Sequence, residues 1–570
     1  METNSEDQKT FTALPNLGQY DTLAKKLLLN RGITTNEQAK KFLNPDYDLH
    51  PHDPFLLTDM EKGVARVLDA IEKEEHIVIY TDYDCDGIPG GVLLHDFFTA
   101  INCTNFENYI PHRHEEGYGF NADSVPQFKE RKAKLIITVD CGITDHDAVL
   151  KAKNLGIDVI VTDHHEPGEA LPPAYAIINP KRDDAYPFKG ICGAAVAYKL
   201  VQGVLKRGKE KGIIVLKDGW EKWWLDLVGL ATVADMVPLV DENRIFARYG
   251  LSVLRKSKRP GLQHLLQKAG AHQRYLTEDD IGFIIAPRIN AASRMDNPED
   301  AFHMLCTLNE GEAGKHVMHL EKLNNERKGV VANMVKEAKR RVKDLVEMPV
   351  VIVMGNPEWR PSLVGLVANT LAEEFNRPTF LWGRDGKGIL KGSCRTDGTI
   401  SVVRLMEHAR DTFLAFGGHH ASGGFSVDHK NIHTLPDSLM AAFKALGTEA
   451  FFLSKKQSRI DAHITLNDLG GKLIQTLDLF GPFGEGNPKP LFAIQNVTPN
   501  DVQVFGKTRN HTKLKFLNGK NRIEAISFFR LPHEFTVMPE KDKPITLLTH
   551  IERSYFYGRL EPRLRIVDIV

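Results

Sequence analysis

Several absences narrow the class of this chain before any motif is read. Of 570 residues only six are cysteine (Cys85, Cys103, Cys141, Cys192, Cys306, Cys394), and no two stand at C-x-x-C spacing. A disulfide framework and a thiolate zinc site are therefore not expected, and a reducing cytoplasm is the expected compartment. No apolar run approaches a membrane span, and the start, METNSEDQKT, lacks the basic and apolar regions of a secretion signal, so no membrane association is expected. Charge of neither sign dominates: 73 Lys and Arg stand against 74 Asp and Glu. Any surface for a polyanion must then be local. No Walker A loop occurs, which argues against an NTP-driven motor.

What is present is a soluble composition, 26% charged and 42% apolar, on a chain long enough for several domains. Ile77-Val78-Ile79-Tyr80 reads as a buried parallel strand, because apolar residues without alternation suit a sheet covered on both faces. Asp82, Asp84 and Asp86 follow on alternate residues, then Gly87, Gly90 and Gly91 lead into a helical pattern. Carboxylates so close repel one another unless a cation lies between them, and a divalent metal is the economical choice. Leu135–Val139 is a second apolar run, closed by Asp140. Ile157–Val161 is a third, closed by Asp163-His164-His165-Glu166. Strands separated by helical segments predict a doubly wound parallel sheet, whose ligands sit beyond the carboxyl ends of its strands. Asp235 lies within the greasy segment Leu225–Leu239, apolar throughout except for Asp226 and Asp235, where an unpaired carboxylate would be costly.

Asp82, Asp84, Asp86, Asp140, His164, His165 and Asp235 are thus the candidate site. A carboxylate-rich set with one or two imidazoles fits manganese best, with magnesium also accepted. Two such ions would clamp a phosphoryl group, provide a hydroxide nucleophile and stabilise the leaving oxygen. Asp140, alone on the middle strand, is the natural bridge between them.

DYDCDG, VDCG, TDHHE and ATVADMVPL resemble, in order, the four motifs of the DHH phosphoesterases, the family of exopolyphosphatases, oligoribonucleases and the RecJ exonucleases. The resemblance implies one manganese on Asp84, Asp140 and Asp82, and a second on Asp86, Asp140, His164 and Asp235. It places His165 at the scissile phosphate as a charge-stabilising donor. The segments around Arg113 and around Arg288 and Arg294 are similar to RecJ sequences. Arg113 is then expected to read a phosphate, and Arg288 to hold a terminal phosphate bidentately.

Residues 310–346 have the periodicity of a long connecting helix. From 347 to 452 a second α/β unit resembles the DHHA1 substrate domain: Ser393 and Arg395 match its S-x-R element, which holds the 5′ phosphate, and His419 matches its GGH motif. Residues 453–570 read as short strands of a small β-barrel, with Asn518-Gly519 as a hairpin turn. From Asp501 to Val570 there are 13 Lys/Arg against 8 Asp/Glu, an excess of five, interleaved with Phe505, Phe516, Phe528, Phe529, Phe535, Tyr555, Phe556 and Tyr557. Basic and aromatic residues on such a barrel are what single-strand binding needs. Phe480–Pro488 resembles the RecJ entry into its OB-fold.

The expected organisation is a helical lead-in over 1–55, packed as a cap on the next domain, and a DHH core over 56–309. The connecting helix, the DHHA1 domain and the OB-fold barrel follow. The function implied is a single-stranded-DNA-specific exonuclease acting from the 5′ end in recombination and repair. A monomer is expected, with a single-strand binding protein and a helicase as partners. Two other readings stand beside it. A phosphodiesterase for short oligonucleotides or cyclic dinucleotides keeps the chemistry but leaves the basic C-terminal domain without a task. A non-catalytic replication scaffold is opposed by the filled ligand positions.

Overall fold

The computed structural model describes residues 17–447, 459–506, 508–519, 521–556 and 559–570. The first sheet comprises β1 (His76–Thr81), β2 (Phe106–Tyr109), β3 (Ala133–Val139), β4 (Asp158–Thr162) and β5 (Ala176–Ile178), ordered β2-β1-β3-β4-β5. Every neighbouring pair is parallel. Alternate residues explain the continuous apolar runs. Ile77, Ile79, Ile137 and Val139 enter one core with the helices Gly87–Ala100 and Gly193–Glu210, and Val78, Tyr80, Ile136 and Val161 enter another beneath His146–Asn154. Both faces are covered, as a doubly wound sheet requires.

One helix, Glu310–Lys343, has 34 residues and so spans about 50 Å. Its first half buries Val317 and Leu320 in the core of the first sheet. Its second half buries Met334, Ala338 and Val342 against the next domain. That domain holds β6 (Ile352–Gly355), β7 (Thr379–Arg384), β8 (Leu390–Arg395), β9 (Phe413–Gly418) and β10 (Ser422–Val427), ordered β6-β7-β8-β10-β9. Only the β6–β7 pair is parallel.

The C-terminal sheet contains β11 (Ala462–Ile464), β12 (Phe492–Val497), β13 (Asp501–Phe505), β14 (His511–Asn518), β15 (Asn521–Ser527), β16 (Ile545–Phe556) and β17 (Arg559–Ile569). Its order is β11-β12-β16-β17-β15-β14-β13, and among the described residues no ladder joins β11 to β13, so hydrogen bonding leaves the expected barrel open along that seam. The hairpin at Asn518-Gly519 forms with Asn518 opposite Asn521, and Gly519 takes a φ of 61°.

The N-terminal helices depart from expectation. Leu27, Leu28 and Leu43 pack with Leu477, Phe480 and Phe492 of the C-terminal domain rather than simply capping the first sheet. Arg31 donates to Asn487 Oδ1 at 2.7 Å and to the Pro488 carbonyl at 2.7 Å. The lead-in therefore ties the two ends of the chain together. Buried Arg244 joins in, donating to the carbonyls of Phe42, Leu479 and Gly481.

Candidate metal cleft and nucleic-acid surface

The carboxyl ends of β1, β3 and β4 open into one cleft. Asp140 leaves β3 with φ 62°, a left-handed conformation uncommon for a residue with a side chain, and such strain gathers at functional sites. Gly193 makes room for it: a Cβ there would lie 2.5 Å from Asp140 Cβ and 2.6 Å from its Oδ1. Asp86 is fixed by the start of the same helix, accepting from Gly193 N at 2.6 Å and Ala194 N at 2.8 Å. Asp84 Oδ1 accepts from Asp86 N at 2.8 Å and Gly87 N at 3.2 Å. Cys85 N, in the same loop, donates to Asn290 Oδ1 at 2.9 Å.

Asp163 organises the imidazoles. It is 1% exposed and accepts through Oδ1 from His164 N at 2.7 Å, His165 N at 3.1 Å and His165 Nδ1 at 2.8 Å. Burial raises its pKa, but the bond and charge of His165 prevail and bring the carboxyl down to about 2. With His165 Nδ1–H committed to Asp163, Nε2 is left for the cleft. Burial, then the charge of His165, pulls His164 down to about 3, the neutral form that a metal ligand needs. Its Nε2 lies 3.2 Å from Asp140 Oδ1 and 3.7 Å from both Asp86 Oδ2 and Asp235 Oδ2. Asp235 is the C-terminal cap of the helix Leu225–Ala234, where the helix dipole disfavours a carboxylate.

The donor set fits divalent cations. Asp82, Asp84 and Asp140 form one group with ligand atoms within 4.8 Å of one another, and Asp86, His164 and Asp235 form a second. Asp140 Oδ1, beside His164, joins them. Buried Asp82 Oδ1 and Asp140 Oδ1 have no hydrogen-bond partner. Burial, then neighbouring carboxylate charge, raises Asp82, Asp140 and Asp235 well above the carboxylate range and Asp86 to about 6. The protein alone does not balance this charge.

The second domain closes the other side. The His419 ring stacks on His165 at 6.1 Å between centroids. Arg395 NH2 and Ser393 Oγ converge above Gly365, lying 3.2 and 3.4 Å from where its Cβ would be. Arg113 sits 4.8 Å over the Tyr83 ring. Arg294, to which no role was assigned from sequence, completes this group. Burial, then the charges of Arg113, Arg327 and Arg395, pulls its pKa down to about 9. Crowded guanidinium groups of that kind call for an anion. Arg288 departs from its expected place: it is buried, with Nε 2.6 Å from Glu321 and NH1 donating to the Ile284 carbonyl at 2.8 Å. Its guanidinium is used in holding two helices together. Asp163 and Tyr118 were also missed; the Tyr118 hydroxyl lies 3.3 Å from His165 Nε2 and 3.3 Å from the Asp140 carbonyl.

Three family models divide the chain: the DHH family N-terminal domain matches 76–232, the DHHA1 domain 345–447 and the RecJ OB domain 460–568. The single-stranded-DNA-specific exonuclease RecJ of Bacillus subtilis is 33% identical over the whole chain, which covers 70% of that protein. The Escherichia coli protein of the same name is 33% identical over 82% of each. This chain belongs to the RecJ family. A crystal structure of RecJ with Mn2+ from Thermus thermophilus superposes with a TM-score of 0.77 at 26% identity, over 96% of this chain and 76% of that one.

The RecJ OB domain carries an aromatic cluster. His511 packs between Phe505 and Phe528 at 5.2 Å from each and lies 4.8 Å from Phe529, which is 78% exposed. Arg565 stands 4.2 Å over Phe528, and Lys513 5.4 Å over Phe505. Phe516 and Phe535 are core residues. The side chains of Tyr555 and Phe556, and Tyr557 as a whole, lie outside the described residues. Among the described residues no helix is long and apolar enough to cross a membrane.

Proposed function

We propose that this chain is a metal-dependent exonuclease that hydrolyses single-stranded DNA from the 5′ end, serving recombination and repair in the cytoplasm. The observation that carries the reading is one cleft in which orphaned buried carboxylate oxygens face a converging group of arginines. Asp82, Asp84 and Asp140 would hold one divalent ion, and Asp86, Asp140, His164 and Asp235 the other, with manganese preferred and magnesium accepted. When bound, such ions polarise the phosphodiester and acidify water.

The remaining roles belong to the chain's own groups. His165, oriented by Asp163, offers Nε2 to an oxygen of the scissile phosphate, and His419 stands beside it. Arg113, Arg294, Ser393 and Arg395 would hold the terminal phosphate through charge-assisted hydrogen bonds, which fixes the 5′ end next to the carboxylates and sets polarity. The exposed rings of Phe528 and Phe529, with Arg565 and Lys513, provide a surface for stacking and backbone tracking, and this favours long strands over dinucleotides. A helicase and a single-strand binding protein are the partners that such a substrate implies, and a monomer is the acting unit.

The test is product analysis on a long single strand labelled at either end, with manganese. Short labelled products released early from the 5′-labelled strand, and none from Asp140→Ala, are expected. Survival of long strands while two- to five-nucleotide substrates disappear would sink the proposal in favour of the small-substrate reading.

A further inference from the structure

Phe283 is 79% exposed, and Gly282 beside it faces open space, whereas Ile281 and Ile285 are fully buried. The four residues lie on one π-helical turn, Ile281–Ile285, which runs directly into the helix Ala286–Met295. Single π turns inside helices are rare and are frequent at functional sites. The acidic residues just before it are already engaged: Asp280 accepts from Thr277 N at 2.8 Å, and Asp279 pairs with Lys489.

Farther along this run are two residues of the cleft. Asn290 holds the loop of Asp84 and Asp86 through Cys85 N, and Arg294 lies within the arginine group. Asn290 and Arg294, four residues apart on the α-helix, point about 40° from each other, and Phe283, set back by the slower winding of the π turn, falls on the same half of the helix. Ile281, Ile285, Ile289 and Ala292 are buried on the other side. The helix thus acts as a ruler: Arg294 marks the arginine group, Asn290 the metal-binding loop, and Phe283 a point about 10 Å beyond it.

We infer that Phe283 stacks on a base of the single strand on the 3′ side of the bond being cut. The inference rests on the function proposed above. A strand with its 5′ phosphate at Arg294 and its scissile bond at the carboxylates continues in the direction of Phe283. A flat ring held in the open by a rigid turn accepts any base, because every base presents a π face. Phe283 then gives the enzyme a hold on the part of the strand that remains after each cut.

The test measures kcat/KM in manganese for 5′-phosphorylated oligothymidylates of increasing length, with wild type, Phe283→Ala and Phe283→Trp. Wild type should show a rise once the strand is long enough to reach the ring. Phe283→Ala should flatten that rise by on the order of tenfold, and Phe283→Trp should restore it. Persistence of the rise in Phe283→Ala overturns the inference. So does an equal loss at every length, which would mark a structural defect. Failure of wild type to degrade long strands would instead remove the proposed function, and the inference with it.

Discussion

Adding one methyl group at Gly193 should disable the cleft while leaving the fold in place. A Cβ there would meet Asp140 Cβ at 2.5 Å, Oδ1 at 2.6 Å and Cα at 2.8 Å, where carbon atoms prefer roughly 3.5–4.0 Å. Relief requires a shift of about 1 Å, and Asp140 is already held at φ 62° with its amide donating to the Thr162 carbonyl. Overpacking of this kind costs about 1–3 kcal/mol. Alanine regains up to about 1 kcal/mol of helix preference at this first helical residue, so the net loss of stability is modest. The chemistry is less forgiving, because a 1 Å misplacement can cost about 10²-fold. Gly193→Ala should therefore keep its circular dichroism and melt within several degrees of wild type. Its manganese-dependent hydrolysis of a single strand should fall about a hundredfold, and its manganese affinity, read by calorimetry, should weaken. Near-wild-type activity in a folded variant would refute the claim that Gly193 sets the position of Asp140.

Three further outcomes are expected. Arg294→Gln should reduce the preference for a 5′-phosphorylated over a 5′-hydroxyl strand by about tenfold or more, as measured by competition, whereas Arg288→Gln should lower the melting temperature without changing that preference. Asp163→Asn should slow hydrolysis by about 10–100-fold with the fold intact, because the amide keeps an acceptor but loses the charge that favours the His165 proton, and sets an NH2 against the Ile143 N–H that Asp163 Oδ2 now accepts; a wild-type rate would exclude this role. Lys199→Met leaves buried Glu242 without its cation and should cost about 3–5 kcal/mol in denaturant unfolding, with Lys199→Met/Glu242→Leu recovering much of the loss.

The clustered carboxylates of the cleft were legible because each stands where an apolar strand or helix ends, a position that the sheet topology converts into proximity. Asp163 was not, although it lies inside a recognised motif. Beside two histidines it reads as a third ligand or a loop residue, and only its burial and its three hydrogen bonds to the His164-His165 pair mark it as their anchor. Arg288 and Arg294 show a different limit. Six residues apart on one helix, they point about 120° from each other, so no more than one could share the face of Asn290. Counting steps from Asn290, four to Arg294 and two to Arg288, would have selected Arg294. The N-terminal leucines announced a buried face but not its partner, since the contact with Leu477 and Phe480 spans more than 400 residues of sequence.

The distribution of charge explains why the cleft is divided between two domains. The first sheet gathers carboxylates and balances them only in part, through backbone N–H groups at Gly87, Gly193 and Ala194, leaving Asp82 and Asp140 oxygens unpartnered. Such a site favours cations and repels a nucleic-acid backbone. The arginines stand at its edge, and the burial and then the mutual repulsion that lower the pKa of Arg294 favour an anion there just as the carboxylates favour cations. Ser362 Oγ donates to the Arg294 carbonyl at 2.9 Å, and Arg294 NH1 donates back to the Ser362 carbonyl at 2.9 Å, so the two domains are hydrogen-bonded where these opposite demands meet. A phosphodiester that satisfies the arginines brings its own negative charge to the metals, and metals that satisfy the carboxylates remove the repulsion that would otherwise exclude it. Each ligand therefore lowers the electrostatic cost of binding the other, and substrate affinity should rise with metal occupancy through charge alone.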